Sequence, residues 1–65
     1  MFETLASMLK INHKKEGGCW LTHYANIPNF ELLSSTTNGD SGIAMFNGIK
    51  IYFNLCGEKW YIERL

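Results

Sequence analysis

Between Ile49 and Leu55 every second residue is strongly apolar: Ile49, Ile51, Phe53 and Leu55 alternate with Lys50, Tyr52 and Asn54. A period of two is the signature of a strand with one face against a core. The dipeptide Asn47-Gly48 separates this run from the apolar run 43–46. Asn-Gly tolerates the positive φ that a type I′ hairpin turn demands at both central positions. A two-residue turn there pairs Phe46 with Ile49, Met45 with Lys50, Ala44 with Ile51 and Ile43 with Tyr52. A second turn at Cys56-Gly57 returns a third strand, pairing Asn54 with Lys59, Phe53 with Trp60, Tyr52 with Tyr61, Ile51 with Ile62 and Lys50 with Glu63. That register sets base against acid and ring against ring, both favourable cross-strand pairs. Moving the turn to Gly57-Glu58 keeps the faces but breaks the ion pair. The expected meander therefore has strands at 43–46, 49–55 and 59–65.

Alternation assigns the faces. Ala44, Phe46, Ile49, Ile51, Phe53, Trp60 and Ile62 share one side, which is the expected core. The opposite side carries a row of Ile43, Tyr52 and Tyr61 and, beside it, a row of Met45, Lys50 and Glu63. At the other end of the chain, Phe2, Leu5, Ala6 and Leu9 in "FETLASMLK" follow the i, i+3, i+4, i+7 spacing of an amphipathic helix. So short a helix is unstable alone and must dock, and the core face of the sheet is its natural seat.

The middle of the chain reads less cleanly. "HKKEGG" ends the helix in a turn at Gly17-Gly18, and the aromatic-rich "CWLTHYAN" suits a strand. "IPN" breaks that strand, because proline has no N–H to donate. "FELLSS" follows a turn signal and runs into Ser and Thr, which favours a strand over the first turn of a helix. "TTNGDSG" reads as a mobile polar loop. The fold class expected is α+β, a single domain over 1–65. It has one short amino-terminal helix packed on an antiparallel sheet of four or five strands that ends in the meander.

Size bounds what this fold can do. Sixty-five residues bury only about 60 % of the surface of the unfolded chain, so such domains are marginal and often draw on a disulfide, a metal or a second subunit. Apolar residues make up 46 % and charged residues 18 %, a globular balance. No apolar run reaches the roughly 18 residues of a membrane span, and no signal-peptide pattern opens the chain. The expectation is a soluble, cytoplasmic, complete small protein with no cofactor and no membrane partner.

Six basic and six acidic side chains cancel. A phosphate-backbone binder needs a basic excess and a DNA mimic an acidic one, so both classes are disfavoured. Cys19 and Cys56 are the only cysteines, expected to be free and mostly packed. His13, Cys19, His23 and Cys56 are metal-ligand types, but not at the spacing of a paired-ligand knuckle.

Candidate chemistry is thin. "GDSG", residues 39–42, matches the four residues around the nucleophile of chymotrypsin-like proteases. That chemistry also needs a base, an orienting carboxylate and two barrels, which a chain of this length cannot supply. His13 and His23 read as structural side chains before they read as general bases. No enzyme is expected.

A single helix cannot cover both faces of a sheet, and two outcomes follow. In one, residues 19–26 or 27–37 wrap over the second face and bury the tyrosines. In the other, Ile43, Met45, Lys50, Tyr52, Tyr61 and Glu63 form an exposed surface that binds a protein partner. Tyr and Met are enriched at interface centres and charged residues at the rim, which favours this second outcome. The expected function is a small non-catalytic binding module, an inhibitor or modulator of its partner. In size and character, though not in residues, it is similar to bacteriophage and mobile-element products that act on host or defence machinery. Two alternatives use the same face: a structural homodimer, and a weak binder of single-stranded nucleic acid by base stacking.

Overall fold

The computed structural model describes residues 2–65. Helix α1 spans Glu3–Asn12. It leads into a two-stranded hairpin, β1 (His13–Glu16) and β2 (Cys19–Thr22), and then a 3₁₀ turn, Tyr24–Asn26. Four further strands follow: β3 (Phe30–Ser35), β4 (Ser41–Phe46), β5 (Ile49–Cys56) and β6 (Lys59–Arg64). They form one antiparallel sheet in the order β3-β4-β5-β6. The architecture is α+β.

The core lies where alternation places it. Leu5 and Leu9 of α1 are fully buried against Ala44, Phe46, Ile51 and Phe53, with Ile27 closing one end. Ile49, Trp60 and Ile62 complete the same face at its half-buried margin. The carboxyl end of α1 is held by its own side chain and by the next segment. Asn12 Nδ2 donates to the Met8 carbonyl at 2.8 Å, and the His23 N–H donates to the Asn12 carbonyl at 3.0 Å. The second of these bonds satisfies a carbonyl that the helix end leaves orphaned.

The first hairpin of the meander has the expected register: Phe46 opposite Ile49, Met45 opposite Lys50, Ala44 opposite Ile51 and Ile43 opposite Tyr52. Asn47 at φ 52° and Gly48 at φ 79° make the type I′ turn. The second hairpin differs. Its turn is Gly57-Glu58, so Cys56 faces Lys59, Asn54 faces Tyr61, Phe53 faces Ile62 and Tyr52 faces Glu63. Lys50 and Glu63 are not partners, and Tyr52 and Tyr61 lie on a diagonal. The cause is turn chemistry. Centring the turn on Cys56-Gly57 as type I′ would force positive φ on Cys56. With Gly57 first, at φ 66°, a type II′ turn needs positive φ only from glycine.

Two other segments depart from expectation. "HKKE" is a strand rather than part of a turn, paired with β2 across Gly17-Gly18. Its exposed Lys14, Lys15 and Glu16 carry no apolar alternation to reveal it. The strand at Cys19 stops at Thr22, and residues 24–26 coil. "FELLSS" is a strand, with a bulge between Leu32 and Ser34.

The 36–40 turn is anchored. Thr22 Oγ1 donates to the Gly39 carbonyl at 2.9 Å and Tyr24 Oη at 2.7 Å. Leu55 N–H donates to the Asp40 carbonyl at 2.7 Å, and Thr36 Oγ1 donates to Asp40 Oδ1 at 2.6 Å. Four such groups converging on one turn replace the mobile loop expected from its composition.

At Gly42 of β4 the β3 backbone and the Phe53 ring leave no room for a side chain. A Cβ there would collide with the Ser34 carbonyl and lie 2.9 Å from the Phe53 ring. Gly42→Ala should therefore lower stability by about 2 kcal/mol or more. Gly57→Ala, with nothing within 4 Å of its Cβ, should cost only the strain of positive φ, about 1 kcal/mol. Urea midpoints of the two variants check the ranking.

Candidate docking surface

Among the described residues every covering element lies on one side of the sheet. Tyr24 stacks on Phe30 at 5.5 Å and meets Phe53 at 5.4 Å, placing the 3₁₀ turn on the core face. His13 of β1 meets Trp60 edge-on at 5.4 Å, so the small hairpin lies on that side too. Residues 30–35 are part of the sheet itself. Neither segment that could have wrapped the second face does so.

The second face is built in rows by the pairing. Ser34, Ile43, Tyr52 and Glu63 form one row across the four strands, and Glu31, Met45 and Lys50 the next. Ser41, Asn54 and Tyr61 form a third. Tyr52 is 37 % exposed and Tyr61 56 %. Ile43 and Met45 are half-buried by their neighbours, while Lys50 and Glu63 are open to solvent. The six residues singled out in the sequence thus share one face, with a changed neighbourhood. Met45–Lys50 and Ile43–Tyr52 are direct pairs, Glu63 sits against Tyr52, and Tyr61 sits against Asn54. Centre and rim exchange places only at Glu63, which enters the tyrosine row.

A second feature escaped sequence reasoning. His13 stacks on Trp20 with ring centroids 5.1 Å apart and planes 14° from parallel. With Trp60 and Leu55 these rings line a cleft of about 500 Å³, flanked by Lys10 and Glu58. Trp20 is 51 % exposed. The nearest signal was "CW" after the glycine turn, but strand pairing with β1 was needed to bring Trp20 to His13. The direction of the hydrogen bond between His13 and Thr22 follows from the Thr22 hydroxyl. The single hydroxyl proton of Thr22 goes to Gly39, so Thr22 accepts from His13 Nδ1 at 3.1 Å, and Nδ1 carries hydrogen. His23 Nε2 lies 3.6 Å from Glu16 on the surface.

Cys19 and Cys56 are free and exposed, not packed. Both sit at strand ends beside turns, where no core reaches. Among the described residues, no three His, Cys, Asp or Glu side chains gather as a metal site. No helix among them is long and apolar enough to cross a membrane.

Comparison with protein-family models, with curated proteins and with solved structures finds no match for this chain. The surfaces themselves therefore carry the functional reading.

The fold shifts the titration of Tyr24. Burial pushes its phenol above the ordinary value of 10.0; the Thr22 hydroxyl opposes this, and the Asp40 carboxylate adds to it. The fold favours the neutral phenol, so this contribution is whole below about pH 10 and is lost as pH rises through the raised value. Tyr24→Phe should lower stability by about 1 kcal/mol near neutrality through the lost bond to Gly39. The gap between wild type and variant should close at strongly alkaline pH, as denaturation at a series of pH values would read.

Proposed function

We propose that this chain is a non-catalytic protein-binding module that docks on a partner through the open sheet face and occludes or modulates it. The observation that carries the reading is the one-sided cover: α1, the small hairpin and the 3₁₀ turn all pack on the opposite face. What remains is an aromatic and aliphatic centre, Ile43, Met45, Tyr52 and Tyr61, bordered by Lys50, Lys59, Glu31 and Glu63. Desolvating tyrosine and methionine at such a centre favours association, and a charged border excludes wrong partners.

The border mixes both signs, which suits a protein surface better than a polyphosphate. A standard interface takes about 800 Å² from each partner, against a total accessible surface of 4356 Å². Most of the open face would be used, and steric occlusion is the mechanism such coverage permits. This is the economy of a small inhibitor, the role that phage and mobile-element products of similar size play. Two unpaired thiols suit a reducing, cytoplasmic setting.

The test uses the two tyrosines, because both can be truncated without opening the core. Tyr52→Ala and Tyr61→Ala should each retain the wild-type circular dichroism and weaken partner binding by about 2 kcal/mol or more. The partner is taken from host lysate with wild-type bait and then titrated by calorimetry. Variants that bind as tightly as the wild type, or that unfold, would sink the proposal.

A further inference from the structure

The sheet has two edges, and they differ. Strand β3 is interrupted by its bulge at Leu33 and has Glu31 as its only charge. A bulge is a common guard against strand addition. Strand β6 pairs with β5 without a bulge over its whole length, and its outer side has no strand neighbour.

The phase of hydrogen bonding along β6 follows from the hairpin. Cys56 and Lys59 close a two-residue turn and so form a hydrogen-bonded pair, after which bonded and non-bonded pairs alternate. The Leu65 N–H on Lys50 O at 3.0 Å and the Leu55 N–H on Asp40 O confirm the phase. Lys59, Tyr61 and Glu63 therefore use their backbone groups on β5. Trp60, Ile62 and Arg64 turn theirs outward.

That edge is complementary to itself. Place a second β6 antiparallel to the first, about a two-fold axis through Tyr61. Trp60 then stands opposite Ile62 of the second copy, and these are residues with outward N–H and C=O groups. Tyr61 stands opposite Tyr61 as a non-bonded pair, the closer kind for side chains. Lys59 stands opposite Glu63, and Glu58 opposite Arg64, each twice by symmetry. Sliding the register by two residues in either direction leaves none of these ion pairs. Apolar Trp60 and Ile62 meet on the core side, so the faces of both sheets stay continuous.

Helix α1 leaves room for the addition. Shallow grooves separate its flank from β6. One is about 240 Å³, between Glu3, Ala6 and residues 60–62, and the other about 210 Å³, between Ala6, Ser7, Lys10 and residues 58–60. On this flank Glu3 and Lys10 lie at opposite ends with short side chains between them. The same two-fold axis runs the helices antiparallel and turns Glu3 of one copy toward Lys10 of the other.

The geometry points to a homodimer joined edge to edge through β6, forming a continuous eight-stranded sheet with the two open faces side by side. The edge shares Tyr61, Lys59 and Glu63 with the docking face, but its test reads self-association rather than partner binding. Sedimentation at about 100 μM should show a dimer. Lys59→Glu and Glu63→Lys should each raise the dissociation constant about tenfold or more, and the double exchange should restore it. Neither substitution breaks an internal ion pair, since Lys59 faces Cys56 and Glu63 faces Tyr52. A second measurement is covalent. With Cys19 and Cys56 replaced by Ser, Tyr61→Cys should cross-link to itself on mild oxidation, and Lys59→Cys should not, because only residue 61 lies on the axis. A monomer at that concentration, a dimer indifferent to the charge reversals, or one abolished instead by Tyr52→Ala would overturn the inference.

Discussion

The ring of Phe53 is fully buried and in contact with Tyr24, Phe30 and Trp60, at centroid distances of 5.4, 6.0 and 6.1 Å. Those three aromatics come from the 3₁₀ turn and the two edge strands. One side chain on a central strand therefore gathers both edges of the sheet and a loop around a common point. Offset and tilted ring contacts of this kind add to the area they bury. Leu5 and Leu9 close over the same point from α1. Gly42 belongs to this arrangement too, because a Cβ there would meet both the β3 backbone and the Phe53 ring. Which face of the sheet is interior is decided here.

The open face follows from the same hub. Among the described residues all covering material is drawn toward Phe53, and none lies on the other side. The sheet is antiparallel, an arrangement that tolerates one solvated face. A solvated face ordinarily carries polar side chains, whereas this one carries Ile43, Met45, Tyr52 and Tyr61 at its centre. Contiguous apolar groups on an otherwise satisfied fold are the feature that a binding surface requires and a monomer does not. Electrostatics do not contradict this, since Lys50 and Lys59 are matched by Glu31 and Glu63.

Much of the fold was legible because alternation and turn chemistry agree along residues 43–55. Asn47-Gly48 and the period-two run fixed each other, and the core list followed with no residue misplaced. The second turn differs from the expected register by two residues for a definable reason. The expected register rests on an ion pair between Lys50 and Glu63, and the positive φ it would force on Cys56 outranks an exposed ion pair. The two-residue error kept every side chain on its face, so the surface was recognisable while its neighbours were not. Strand β1 was illegible because all its side chains except His13 are exposed, which leaves no pattern. The aromatic cleft was illegible for another reason: His13, Trp20 and Trp60 meet only through the pairing of one hairpin and its docking on another.

Marginal size connects the two surfaces. A chain this small has little stability to lose, and anything that binds only its folded form raises that stability by mass action. The β6 edge and the open face both require the folded sheet. An edge-joined pair would shield the outward backbone groups of Trp60, Ile62 and Arg64, and would extend the half-buried margin at Trp60 and Ile62 into an interior. It would also set two copies of the Ile43–Tyr52–Tyr61 patch in one plane, related by the two-fold axis. A partner presenting a matching pair of sites would then meet a bivalent surface, with the second contact made at high effective concentration. Dimerisation through the edge would therefore strengthen docking through the face without adding a contact to it, and charge at Lys59 and Glu63 would then bear on docking through the dimer as well as at its border.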